Sequence, residues 1–64
     1  MSEWNKERVQ ALVEVYDLSH QEFAKRLGVK VGTLRNWLYG RPITGPSAAL
    51  LDIMEWHAKQ AGKL

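Results

Sequence analysis

The 64-residue sequence predicts a small all-α domain of four helices, or five, with no sheet. Apolar residues recur at the spacing of an amphipathic helix in four separate segments. Glycine and proline separate these segments, and no stretch of β-branched residues alternates with period two as a strand would. A chain of this length forms one domain, residues 1–64, which buries only about 60% of the surface that its unfolded form exposes.

The first helix is predicted over residues 3–16. Its apolar face has the spacing i, i+3, i+4 and i+7 and consists of Val9, Leu12, Val13 and Tyr16. Trp4 can extend this face by one turn. Either Ser2 or Asn5 can cap the helix, because both side chains accept hydrogen bonds from free N–H groups. We expect this helix to serve packing.

The second helix is predicted over residues 19–27. Ser19 and Glu22 have the capping-box spacing, which marks a helix start. Gly28 follows the last apolar residue and tolerates a left-handed cap, which marks the end. Ala24 and Gly28 are both small, and we expect a larger side chain at either position to force the second and third helices apart.

The third helix is predicted over residues 31–39 and is ended by Gly40. At about 100° per residue, its apolar side carries Leu34, Trp37 and Leu38. Its other side carries residues that can approach a partner closely, donate hydrogen bonds and stack: Gly32, Arg35, Asn36 and Tyr39. Trp37 can in principle stack on a partner, but its position on the apolar side favours the core.

The fourth helix is predicted over residues 46–60, after the connector RPITGP at 41–46, whose prolines and glycine exclude helix. Pro46 suits a first helical position, and either Thr44 or Gly45 precedes it as the cap. Its apolar stripe is formed by Leu50, Ile53, Met54 and His57, broadened by Leu51 and Ala58. We expect Met54 and His57 to lie either in the core or in an interface.

Positive charge is concentrated in the middle of the chain. Residues 23–51 carry a charge of +5 with no acid, from Lys25, Arg26, Lys30, Arg35 and Arg41. Residues 1–22 carry −3, and the last 13 residues are balanced. This asymmetry is typical of a phosphate-binding surface, with an ordinary solvated face as the alternative. Lys6 and Arg8 are either contacts to the phosphate backbone of a ligand or, as we favour, solvated surface charges.

Several function classes find no support in the composition. The chain has no cysteine and its two histidines are far apart, so we expect no disulfide and no metal. It has no apolar run of the roughly 20 residues that span a bilayer and no signal peptide, so we expect a cytoplasmic protein without a membrane partner. It also lacks catalytic motifs, which predicts no enzyme, no cofactor and no small-molecule substrate.

The central stretch carries a more specific pattern. Ala24, Gly28 and Leu34 follow one another at intervals of four and six residues. With them this stretch resembles the helix-turn-helix of phage repressor and Cro-like (XRE-type) regulators. Further matching residues, over about a third of the chain, are Leu18, Ser19, Glu22, Lys25, Arg26, Leu27, Val29, Thr33, Trp37 and Gly40. The resemblance implies a transcriptional regulator that binds double-stranded DNA sequence-specifically, in the simplest form a repressor associated with the nucleoid.

By this resemblance the third helix lies in the major groove. The family's base-contacting positions fall on Lys30, Val31, Gly32, Arg35 and Asn36. Phosphate contacts are expected from His20 or Gln21 and from Lys25, Arg26, Thr33, Tyr39 and Arg41. The family usually has glutamine at the position of His20, so the histidine and its neighbour are alternatives for one role.

Two departures from the family pattern change what we expect of the third helix. Gly32 stands where polar side chains are usual, which shifts direct base readout to Arg35 and Asn36 and adds weight to DNA shape. Lys30 stands where a capping residue is common, so we expect the start of this helix to fray until DNA binds.

Regulators of this kind usually bind DNA as two-fold dimers, on half-sites about 34–36 Å apart. We therefore expect a homodimer on a palindromic operator. Trp56 lies off the predicted core face, where an exposed indole needs a cover. The candidate dimer interface consists of Leu50, Ile53, Trp56, His57 and Leu64. The alternative function is a helical protein-interaction module, such as an antitoxin that binds a partner protein.

Overall fold

The computed structural model describes residues 4–43 and 45–64, and this part of the chain contains four helices and no strand. In chain order they are α1 (Lys6–Tyr16), α2 (His20–Leu27), α3 (Val31–Leu38) and α4 (Pro46–Gln60). The predicted all-α fold class is confirmed. In the described ranges, no helix has the length and apolar character needed to cross a membrane.

α1 begins three residues later than predicted because Asn5 caps it. Asn5 has an extended backbone, with φ −140° and ψ 174°, and its side-chain oxygen accepts a hydrogen bond of 2.9 Å from the N–H of Arg8. Trp4 therefore precedes the helix instead of extending its apolar face, although it is buried in the core. The other candidate cap, Ser2, lies outside the described residues.

Ser19 and Gly28 set the two ends of α2, as predicted. The Oγ of Ser19 accepts a hydrogen bond of 3.1 Å from the N–H of Glu22. At the other end, Gly28 has φ 77°, and the N–H groups of Gly28 and Val29 donate to carbonyl oxygens of the last turn at 3.1 and 3.0 Å. This pair of bonds is a Schellman motif, which satisfies carbonyls that would otherwise lack a partner.

The expectation that a larger side chain at Gly28 would force α2 and α3 apart is wrong. A Cβ built on Gly28 meets no atom within 4 Å, so the turn has room for a side chain. Glycine is favoured there because φ is +77°, a conformation that residues with a Cβ rarely adopt. Ala24, in contrast, is 1% exposed, and a larger side chain there would overpack the core.

α4 begins at Pro46 and ends at Gln60, which are the predicted bounds. Gly45 occupies the N-cap position, and proline fits the first helical position because its missing N–H would have no partner inside the helix. Thr44, the alternative cap, lies outside the described residues.

One apolar core holds the four helices together. α3 packs against α1 and α2, and α4 packs against the same two helices. Each helix supplies at least one of the largest fully buried side chains, which are Phe23, Leu12, Leu34, Leu51 and Val9. Trp37 is also buried, at 5% exposure, which confirms the predicted core position.

Only part of the predicted apolar stripe of α4 packs on the core. Leu51 and Ala58 are buried and Met54 is half-buried, so the helix is rotated towards these three residues. The other members of the stripe, Leu50, Ile53 and His57, are exposed. They cannot serve the core, and their exposure is compatible with the candidate dimer interface.

Hydrogen bonds to residues near the N-terminus and in α1 explain this rotation. The Nε1 of Trp4 donates to the Oδ1 of Asp52 at 2.8 Å, and the hydroxyl of Tyr16 donates to the backbone carbonyl of Met54 at 2.8 Å. A rotation that buried Ile53 would carry Asp52 away from the indole. The polar contacts therefore select one of two apolar faces.

Arg8 belongs to the same contact. Its Nη2 donates to both carboxylate oxygens of Glu55, at 2.8 and 2.9 Å, and its guanidinium carbon lies 4.1 Å from the centroid of the Trp4 ring. A cation over an indole face is attracted by the ring quadrupole. Arg8 is therefore an ion-paired, half-buried residue and not the solvated charge that we favoured. The other alternative, a DNA backbone contact, stays a prediction.

Candidate nucleic-acid interface

α3 turns an apolar face to the core and a polar face outwards. Leu34 and Trp37 are buried, whereas Gly32, Arg35 and Asn36 are exposed. This division agrees with the prediction for the third helix. The exposed face therefore presents a guanidinium, an amide and a position with no side chain, and α3 contains no acidic residue.

Residues at the edges and ends of α3 extend this exposed face. Val31 and Thr33 are half-buried, and Lys30 is exposed just before the helix. α3 ends at Leu38, one residue before the predicted end, and Tyr39 follows it as the C-cap. The Tyr39 side chain is 82% exposed, more than any other large hydrophobic side chain described. All of these residues are accessible to a partner that approaches the outward face of α3.

The start of α3 has a weak cap, as predicted from Lys30. The Lys30 side chain makes no capping hydrogen bond, and only its backbone carbonyl takes part, accepting from the N–H groups of Thr33 and Leu34 at 3.0 and 3.3 Å. The N–H groups of Val31 and Gly32 precede these bonds and have no acceptor within the helix. Such N–H groups, at the positive end of a helix dipole, favour a bound anion.

Gly32 differs from the other glycines of the chain, because its φ lies outside the left-handed region. A Cβ built on Gly32 meets no atom within 4 Å, so neither backbone conformation nor space requires glycine there. Glycine inside a helix is less favourable than alanine by roughly 0.5–1 kcal/mol. Neither the backbone conformation nor the packing of the fold therefore explains why position 32 is glycine.

The end of α3 fixes the position of Arg41. The N–H groups of Gly40 and Arg41 donate to the carbonyls of Trp37 and Asn36, at 2.9 and 3.0 Å, in a second Schellman motif. A Cβ built on Gly40 would lie 3.9 Å from the Cδ of Lys6. Lys6, which is exposed, therefore adds a cation from the start of α1 to the end of α3.

The predicted phosphate-contacting residues of α2 are also exposed. His20 and Gln21 occupy the first turn of α2, and Lys25 and Arg26 lie in its last turn. Both members of the His20 and Gln21 pair are accessible, so the two remain alternatives. α2 packs directly against α3. The exposed residues of α2 therefore belong to the helix next to the one that carries the candidate base contacts.

The basic residues of segment 23–51 have no acidic partner among the described residues. All five are exposed. The ion pairs among the described residues lie outside this segment and join Glu55 to Arg8 at 2.8 Å and to Lys59 at 3.8 Å. Exposed cations without an acidic partner can neutralise phosphates without first breaking an ion pair. The α2–α3 unit, residues 20–38 with their flanking cations, therefore carries unpaired positive charge, whereas the charges at the contact between α1 and α4 are paired.

The predicted dimer-interface residues are all exposed. Leu50, Ile53, Trp56 and Leu64 are 40%, 53%, 58% and 51% exposed. The rings of Trp56 and His57 meet edge to face, with centroids 5.1 Å apart. Exposure is a requirement for an interface, and the contact itself remains a prediction.

Over residues 4–43 and 45–64, no three His, Asp or Glu side chains are grouped so as to hold a metal ion, and this surface has no enclosed pocket. Comparisons with protein-family models, curated proteins and solved structures find no match to this chain. Its function must therefore be inferred from its own residues and their geometry.

Proposed function

We propose that this protein is a transcriptional regulator of the phage repressor and Cro-like helix-turn-helix type. It binds double-stranded DNA sequence-specifically with α3 in the major groove. The simplest mechanism of regulation is repression, in which a dimer occupies a palindromic operator and blocks access to a promoter. No effector or cofactor is needed for this mechanism.

One observation carries the proposal. The outward face of α3 combines Gly32, Arg35 and Asn36, the helix has no acid, and the cations before and after it have no acidic partner among residues 4–43 and 45–64. The major groove of DNA admits an α-helix and displays a different pattern of donors and acceptors for each base pair. A helix face with polar readers, one open position and cationic flanks is complementary to that groove.

Arg35 and Asn36 supply most of the direct readout. Asn36 can accept from the N6–H of adenine with its amide oxygen and donate to N7 with its amide N–H, and Arg35 can donate to O6 and N7 of guanine with two guanidinium N–H groups. Val31, half-buried at the start of α3, can pack on a thymine methyl group. Gly32 lets the backbone approach the base edges, and Lys30 contacts a base from the N-terminal end of the helix.

Phosphate contacts hold the helix in register. They come from Lys25, Arg26, Thr33, Tyr39 and Arg41, with His20 or Gln21 and the free N–H groups at the helix starts. Each phosphate neutralised by a cation makes the slope of log affinity against log salt more negative by about 0.9. Affinity for all sequences should therefore fall steeply as salt rises.

Selection of bound duplexes from a random pool tests the proposal. With the chain at about 0.15 M salt, we expect a palindromic consensus whose half-sites contain guanine and adenine. The matched control is the double variant Arg35→Ala with Asn36→Ala, which should retain general affinity but yield no consensus. Failure of the wild-type chain to enrich any sequence would contradict DNA readout.

Two single variants test the orientation of α3. Asn36→Ala should relax the preference at one base pair and weaken the selected site by about 1–3 kcal/mol. Arg41→Ala should weaken all sequences alike and make the salt slope shallower by about 0.9. Titration of selected and scrambled duplexes at several salt concentrations measures both effects. Equal behaviour of the two variants would show that α3 is placed wrongly.

A second function is favoured by the exposed apolar residues of α4. A helical module that holds a partner protein, as an antitoxin holds a toxin, would use Leu50, Ile53 and Trp56, which are exposed and apolar. The discriminating observation is whether the isolated chain shifts a selected duplex at physiological salt. If the isolated chain is folded but does not shift the duplex, this second function would be favoured.

A further inference from the structure

The start of α1 is held against α4 by a cluster of side chains that we call the clasp: Trp4, Arg8, Asp52 and Glu55. The Nε1 of Trp4 donates to the Oδ1 of Asp52 at 2.8 Å, and the Nη2 of Arg8 donates to both carboxylate oxygens of Glu55 at 2.8 and 2.9 Å. Trp4 is 8% exposed, and the guanidinium of Arg8 lies over its ring. The clasp therefore fixes the chain both before and after Lys6.

Lys6 lies on the other side of this turn, beside the end of α3. Side chains at positions 6 and 8 leave a helix about 200° apart, because each residue turns it by about 100°. The Cδ of Lys6 lies 3.9 Å from the point where a Cβ on Gly40 would stand. Lys6 is exposed and has no acidic partner among residues 4–43 and 45–64. Its apolar stem therefore lies at the end of α3, and its ammonium is available to an anion.

Arg41 lies at the same end of α3. Its N–H donates to the carbonyl of Asn36 at 3.0 Å, which fixes its backbone one residue after Gly40. Arg41 is also exposed and has no acidic partner within the described ranges. The packing of α1 against α3 therefore brings a second cation, from outside segment 23–51, to the place where α3 ends.

We propose that Lys6 contacts a phosphate of the DNA backbone together with Arg41, and that the clasp positions Lys6 for this contact. The contact rests on the proposed function, because it requires duplex DNA beside α3. In that arrangement the first residues of α3 contact the bases. The other end of this helix of about 12 Å then lies at the edge of a groove about 12 Å wide, where the phosphates are.

The alternative role for Lys6 lies within the fold. A cation near the C-terminal end of a helix is favoured by the helix dipole, so Lys6 would stabilise α3 without contacting DNA. Arg41 already supplies a cation at this end, however, and two cations at one helix end repel each other in the free protein. A phosphate between them relieves that repulsion, which favours the DNA contact.

Titration of a duplex of unselected sequence at several salt concentrations tests Lys6, because phosphate contacts do not depend on sequence. Lys6→Ala should make the slope of log affinity against log salt shallower by about 0.9. It should also weaken binding about fivefold at about 0.15 M salt. Lys6→Arg keeps the cation and should keep the wild-type slope.

Lys63→Ala is the matched control for the loss of charge. It removes one exposed lysine that follows α4, and it should leave the salt slope unchanged. Circular dichroism establishes that the lysine variants are folded, which we expect because Lys6 and Lys63 are both exposed.

Trp4→Phe tests the clasp without changing the charge of the protein. It keeps an aromatic ring but removes the N–H that donates to Asp52. The variant should weaken duplex binding about two- to threefold when Lys6 is present and have no further effect on a Lys6→Ala chain. An equal loss in both backgrounds would show that the clasp stabilises the fold and does not position Lys6.

A Lys6→Ala slope equal to that of the wild-type chain would overturn the contact, whatever the variant does to stability. Equal slope changes in Lys6→Ala and Lys63→Ala would overturn it as well, because net charge and not position would be responsible. If the wild-type chain binds selected and scrambled duplexes alike while Lys6→Ala makes the slope shallower, the contact stands and sequence-specific readout fails. A chain that binds no duplex would overturn both.

Discussion

α2 and α3 have the same length but begin in different ways. Each has eight residues, and each is followed by a glycine with positive φ in a Schellman motif. α2 starts with Ser19, whose hydroxyl accepts from the N–H of Glu22 at 3.1 Å. α3 starts with Lys30, which makes no side-chain cap, and has Gly32 in its first turn.

α2 is therefore capped at both its N-terminus and its C-terminus, whereas α3 is capped only at its C-terminus. A missing cap typically costs about 1 kcal/mol, and an interior glycine costs about 0.5–1 kcal/mol relative to alanine. Gly32 has a helical φ, and there is open space around the position of its missing Cβ, so the fold does not require glycine there and the loss of helix stability is unexplained by packing. The first turn of α3 therefore has the sequence expected where a partner approaches the backbone and supplies the missing contacts.

The largest expected effect comes from alanine at the two glycines of the α2–α3 unit. Both sites have room for a Cβ, but only Gly28 has positive φ. Gly28→Ala should lower the free energy of unfolding by about 1–2 kcal/mol, because its Cβ clashes with the backbone in the left-handed region. Gly32→Ala should raise it by about 0.5–1 kcal/mol, because alanine favours helix.

Chemical denaturation measures both changes, and titration with a selected duplex measures the functional one. Gly32→Ala should bind DNA more weakly although it is more stable, because in the proposed complex its methyl group would separate the α3 backbone from the bases. A Gly32→Ala protein with unchanged affinity would remove the functional explanation for this glycine.

The caps differ by a smaller amount. Ser19→Ala removes the hydroxyl that accepts from Glu22 and should lower the free energy of unfolding by about 1 kcal/mol. Lys30→Ala is the matched control at the same position of α3, and it should have little effect on stability because no side-chain cap is lost. Thermal and chemical unfolding report the difference. Equal costs for the two variants would mean that the caps of α2 and α3 do not differ in energy.

The smallest effect is expected from giving α3 a cap. Lys30→Ser introduces a side-chain acceptor and removes a cation from the positive end of the helix, which should stabilise the protein by about 0.5 kcal/mol. Hydrogen exchange of the free wild-type chain should show faster exchange at Thr33 and Leu34 than at Trp37 and Leu38. Lys30→Ser should reduce that difference, and equal protection already present in the wild-type chain would contradict fraying.

Local signals were sufficient for most of the helix boundaries. The cap at Ser19, the glycine at 28 and the proline at 46 act through neighbouring residues, so the bounds of α2 and α4 follow from short segments of sequence. The predicted start of α1 is three residues too early because Trp4 continues an apolar pattern that the extended backbone of Asn5 interrupts.

The rotation of α4 could not be found in this way. Both of its sides are apolar, and the choice between them depends on hydrogen bonds from Trp4 and Arg8 to residues 48 and 47 positions away. Periodicity within one helix contains no information about those partners. Periodicity places Leu50, Ile53 and His57 in one stripe with Met54, and only the tertiary contacts determine that these three are exposed.

Lys6 and Arg8 illustrate the same limit within the candidate site. They are two residues apart in one helix and look equivalent in sequence. Arg8 is held by Glu55, whereas Lys6 lies beside Gly40 at the end of α3. The exposed face of α3 was predictable because it depends on helical period alone, but which nearby cations join it depends on the packing of α1.

The most direct test of the central claim is a titration of the ¹⁵N-labelled chain with a selected duplex at about 0.15 M salt, followed by amide chemical shifts. We predict that the largest changes occur at residues 30–36 and at Arg41, with α2 affected less and the Arg8 and Glu55 contact unchanged. A scrambled duplex should produce smaller changes at the same residues. Changes centred on α1 or α4, or equal responses to both duplexes, would contradict the placement of α3 in the major groove.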